Sequence, residues 1–62
     1  MVGEIRVGDF FIEKEMKSRQ TGVILEIKRD LEGDGVIKVL LSGGGTEGWS
    51  YRNFLNFHDV YR

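Results

Sequence analysis

Read as apolar and polar positions, the chain breaks into short alternating runs separated by glycine-rich or charged punctuation, the spacing of a sandwich or barrel. The first run, Ile5 to Ile12, predicts a strand that bends at Gly8-Asp9 and points Ile5, Val7, Phe10 and Ile12 inward. The next stretch, EKEMKSRQ, is rich in helix formers, but only Ile12 and Met16 make a helical pair. It reads as a long charged loop over residues 13 to 20. TGVILEIKR alternates Val23, Leu25 and Ile27 inward, with Ile24 as an apolar exception on the other side. After DLEGDG, whose Asp34-Gly35 pair suits a hairpin connection, VIKVLLS sets Ile37, Val39 and Leu41 on one face against Val36, Lys38 and Leu40.

Three glycines, Gly43 to Gly45, follow that strand and precede the only tryptophan. A phosphate-cradling loop requires a helix start after the glycines, or a lysine with Ser or Thr, and neither follows. The run is therefore a tight reversal returning TEGWSY along the previous strand. YRNF then fits one helical turn. LNFHDVY reads as a closing strand with Leu55, Phe57 and Asp59 on one side and Asn56, His58 and Val60 on the other. The expectation is an all-β fold of five short strands in up-and-down order with a single helical turn before the last strand, one domain over residues 1–62.

Composition narrows the function classes. A chain of 62 residues supports one small core, and without cysteine it has neither disulfides nor thiolate metal ligands to reinforce it. No apolar run has the length of a signal or a membrane span, which predicts a soluble, cytoplasmic protein with no membrane partner. Nine Lys and Arg against ten Asp and Glu give a net charge of −1, so no overall positive field draws the chain to nucleic acid. His58 is the only histidine and its neighbour Asp59 points to the opposite strand face, so they form no base-and-orienter pair. These features predict no enzyme, no cofactor, no metal site and no small-molecule substrate.

The run Gly48, Trp49, Ser50, Tyr51, Arg52, Asn53, Phe54, Leu55 resembles the SH3 signature that leads through a proline and an Asn-Tyr pair into the last strand. Asn53 matches it; Tyr51 stands where that pattern has proline, and Phe54 where it has tyrosine. VGDFF, TGVILEI and VIKVLLSGGGTEGW resemble the broader SH3-like barrels, including KOW and Tudor-like modules and many short proteins of tailed bacteriophages. The resemblance covers roughly residues 5 to 61. It implies a five-stranded SH3-like barrel, a non-catalytic binding module for a protein partner or for a second copy, and a phage accessory role in the host cytoplasm. The alternative it carries is a nucleic-acid-associated barrel of the KOW or Tudor-like kind.

The departures at Tyr51 and Phe54 leave the polyproline groove of SH3 domains incomplete. Tyr51, Arg52, Asn53 and Phe54 remain the expected groove, facing the loop that carries Lys17 and Arg19, with Tyr51 and Tyr61 as the exposed aromatic pair. Trp49 reads either as a stacking platform or as core. Thr46, Gly48 and Ser50 form the small polar set of its strand, so burying the other set puts Trp49 inside. Lys14, Lys17, Arg19, Lys28, Arg29 and Arg52 could together contact phosphate, but Glu13, Glu15, Asp30, Glu32 and Asp34 lie among them. Ile24, Val36 and Leu40, opposite the main core set, could form an apolar strip for self-association or docking.

Overall fold

The computed structural model describes residues 3–14 and 19–62. Five strands, β1 (Phe10–Glu13), β2 (Thr21–Arg29), β3 (Gly35–Leu41), β4 (Thr46–Ser50) and β5 (His58–Tyr61), form one antiparallel sheet in the order β4-β3-β2-β1-β5. One helix, α1 (Tyr51–Phe57), joins β4 to β5, the two end strands of the sheet, and contacts β3, β4 and β5. No ladder pairs β4 with β5 among the described residues, so the sheet is open rather than a closed barrel. The core consists of Ile5, Phe11, Ile24, Ile37, Val39, Tyr51, Phe54 and Val60, with Ile27, Leu41 and Trp49 packed against it.

The β2–β3 hairpin follows its sequence signal. Asp30 turns the chain by accepting from the Glu32 and Asp34 backbone N–H groups at 2.9 and 3.0 Å, and Arg29 pairs with Gly35. The glycine run makes the next reversal. Gly44 and Gly45 take φ of 95° and 86°, conformations that cost other residues strain, and Gly44 N–H donates to the Leu41 carbonyl at 2.9 Å.

Two expectations about phase are corrected. The first strand starts at Phe10, because residues 6 to 9 form a turn instead: Asp9 N–H donates to the Arg6 carbonyl at 3.0 Å, and the Asp9 carboxylate accepts from Arg6 N–H at 2.8 Å. That turn resets the alternation, so Ile5 and Phe11 are buried while Val7 and Phe10 face out and Ile12 is half-buried. In β2 a bulge between Ile24 and Glu26 adds a residue, which puts Ile24 and Ile27 on the core side and Leu25 in solvent. The apparent exception at Ile24 is thus the core residue, and the expected strip loses it; Val36 and Leu40 stay exposed.

The helical turn extends to Phe57. Ser50 caps it, its hydroxyl accepting from Asn53 N–H at 3.2 Å, and Tyr51 and Phe54, three apart, share the buried side. The three extra helical residues delay the start of β5 to His58; in that strand His58 and Val60 are buried and Asp59 is half-buried, the expected alternation, while Leu55 and Phe57 are exposed on α1. Of the expected charged loop over residues 13 to 20, Glu13 ends β1 and residues 15 to 18 lie outside the described residues.

Candidate functional site

Phase decides which apolar side chains the sheet leaves in solvent. Cross-strand register aligns Tyr61 with Phe10, Phe10 with Val23, Val23 with Leu40 and Leu40 with Thr46, so one row runs across all five strands on the face away from the core. Phe10, Tyr61 and Leu40 in this row are 59%, 45% and 42% exposed, and Val23 is half-buried. The same rule that buries Phe11 beside Val60 and Gly22 forces Phe10 outward, because adjacent strand residues point to opposite faces.

A groove of about 410 Å³ opens along the middle of the row, lined by Phe10, Phe11, Gly22, Val23, Leu40 and Leu41. Thr21 and Ser42 close one end. The Ser42 hydroxyl donates to the Thr21 carbonyl at 2.9 Å, and the two hydroxyls bond to each other, so Thr21 Oγ1 is the donor between them and keeps lone pairs for a further N–H. Gly22 is required here. A β-carbon at that position would run into the Leu40 carbonyl and the Phe11 ring, so β2 and β3 come this close only because the side chain is missing.

The residues expected to form the groove are dispersed. Phe54 is fully buried, stacked on the His58 ring with centroids 4.4 Å apart and edge-on to Phe11 at 5.3 Å. Tyr51, expected to be exposed, is buried, with the Arg29 guanidinium 4.0 Å from its ring centroid. Arg52 and Asn53 lie on the exposed side of α1, where Arg52 N–H donates to Asp34 Oδ1 at 3.1 Å. A seven-residue helix cannot present i and i+3 to the core and also offer them to a ligand, so Tyr51 and Phe54 leave the expected groove. Arg19 is exposed beside the Ser42–Gly44 turn, and Lys17 lies outside the described residues.

Trp49 is half-buried on the core side. It packs 4.8 Å from His58 and 6.2 Å from Phe57, and its indole N–H donates to Glu47 at 3.3 Å. The His58 imidazole gives its Nδ1 proton to the Phe54 carbonyl at 2.9 Å, because a carbonyl only accepts; the bond satisfies one of the open carbonyls at the end of α1.

Several cations expected to gather stand beside other groups. Lys28 is 3.6 Å from Glu26, Lys14 is 4.0 Å from Asp59, and Arg29 donates to the Gly33 carbonyl at 3.0 Å. Arg62 forks onto the buried Asp9 carboxylate at 3.0 and 3.2 Å and donates to the Glu4 carbonyl at 2.7 Å. The Arg62 hydrogen bond holds the Asp9 carboxyl below the usual carboxylate range, against the opposing effect of burial. Asp34 is lowered as well, chiefly by the Arg52 backbone N–H.

Sequence reasoning placed Leu40 and Tyr61 on the exposed side but assigned Phe10 and Val23 to the core. The signal that separates them is the adjacent pair Phe10-Phe11, since a strand can bury only one of two neighbours. No protein-family model, curated protein or solved structure matches the chain. No helix among the described residues is long and apolar enough to cross a membrane.

Proposed function

We propose that this chain is a non-catalytic module of the SH3-like kind, its sheet left open between β4 and β5, that docks a protein through the outer face of that sheet. The observation that carries the reading is the exposed row Tyr61, Phe10, Val23 and Leu40, which runs unbroken across four neighbouring strands. The largest contiguous apolar patch on a soluble domain is often its functional surface. The SH3-like assignment is supported by the strand order, with β1 between β2 and β5, and by a short helix leading into the last strand. The charge pattern favours apolar docking over a nucleic-acid partner, because the cations at positions 14, 28 and 62 stand beside carboxylates and the chain carries net charge −1.

Panning a displayed library of random twelve-residue peptides, in parallel with a pool of single-stranded oligonucleotides, tests this. The reading expects enriched peptides whose binding changes little with salt and drops at least about tenfold on Leu40→Lys, a loss of ~1.4 kcal/mol. Selective capture of oligonucleotide, weakening steeply with ionic strength and indifferent to Leu40→Lys, would overturn it.

A further inference from the structure

The row and its groove also indicate what sits on them, an inference that rests on the docking role just proposed. At their observed exposures Phe10 and Tyr61 each offer on the order of 100 Å². With Leu40 and Val23 the row comes to roughly 300 Å², below the roughly 450 Å² of apolar surface within the ~800 Å² that each side of a stable association of two folded surfaces buries. The patch is therefore too small for a second copy of the chain to close on it through these residues. It has the dimensions of a single strand of peptide. From β5 to β3 the row crosses three strand spacings of ~4.8 Å, a length matched by about five residues of extended chain at ~3.3 Å each.

Within that length the groove offers one shallow, open depression. Lined on this face by the side chains of Phe10, Val23 and Leu40, it has room for a branched aliphatic or aromatic side chain as an anchor. The lone pairs of Thr21 Oγ1 stand at the end of the groove, where a backbone N–H of the incoming segment can donate. We propose that the groove over Gly22 binds an extended segment of a partner protein, about five residues long, that inserts one large apolar side chain between Phe10 and Leu40. Selectivity then comes from the size and apolarity of the anchor, and a charged residue in its place is rejected because its desolvation is not repaid.

The test uses two blocked pentapeptides, Thr-Thr-Leu-Thr-Thr and Thr-Thr-Lys-Thr-Thr, added at millimolar concentration to the ¹⁵N-labelled protein, with sedimentation equilibrium of the protein alone. The expected result is that the leucine peptide shifts amides of residues 10, 11, 21 to 23 and 40 to 42. The lysine peptide should give shifts at least about fivefold smaller, Leu40→Lys should abolish the response while leaving the circular dichroism unchanged, and the protein should sediment as a monomer. Self-association abolished by Leu40→Lys would overturn the peptide occupant and leave the docking face standing. Shifts centred on Arg52 and Asn53 would overturn the groove while keeping a peptide-binding module. Failure of every pentapeptide and of self-association, together with failed peptide panning, would sink the docking role itself.

Discussion

At the scale of single residues, the ion pair between Asp9 and Arg62 joins distant parts of the chain. It links the segment before β1 to the end of β5 through a forked contact, and it places a carboxylate in a buried position where only its partners keep it charged. Because the folded-state pKa of Asp9 is lowered, the stabilisation is present above the ordinary carboxylate pKa and is lost as pH falls through the still lower folded value. Asp34 adds to the same acid sensitivity through the Arg52 N–H. Urea midpoints should therefore be flat from about pH 7 to pH 5 and should fall steeply below about pH 4. In Asp9→Asn the acid-dependent part should shrink, with the remainder reflecting Asp34. An Asp9→Asn profile parallel to wild type down to about pH 2.5 would show that this pair does not govern the acid response.

At the scale of elements, α1 shows how a short sequence signal sets a larger geometry. Seven residues are too few for a helix to persist alone, so α1 depends on its Ser50 cap and on burying Tyr51 and Phe54. Ser50→Ala should cost about 1 kcal/mol, read as a lower urea midpoint with unchanged slope, and Ser50→Asp should restore most of it. A cost near zero would mean that packing alone holds the helix. The strands that could be read from sequence were those bounded by strong turns: β3 and its two flanking reversals follow directly from alternation and from the glycines. What alternation could not supply was phase across irregularities. The Asp9 turn and the bulge after Ile24 each insert residues that do not alternate, and each shifts the buried set beyond it, while the extra helical residues to Phe57 delay the start of β5. The candidate site suffered most, since Phe10 and Val23 lie just beyond or just before such a shift.

At the scale of the whole molecule, the docking role depends on one surface. An open sheet of five strands uses one face for a small core containing Phe11, Ile24, Ile37, Val39 and Phe54, and its other face carries the apolar row in water. The resemblance to SH3-like modules pointed toward the helix and the charged loop. Register points to the opposite face, because Tyr51 and Phe54 are consumed by the core. The absence of native cysteine allows each face to be read independently by single-cysteine variants at positions 10, 11, 39 and 40. Thiol labelling by a small aromatic disulfide under native conditions is the most direct measurement. Phe10→Cys and Leu40→Cys should react at nearly the rate of a free thiol, whereas Phe11→Cys and Val39→Cys should react at least about a hundredfold more slowly, their access requiring local or global opening. Rapid labelling at 11 and 39 with protection at 10 and 40, in variants that remain folded, would contradict the register and remove the docking face with it.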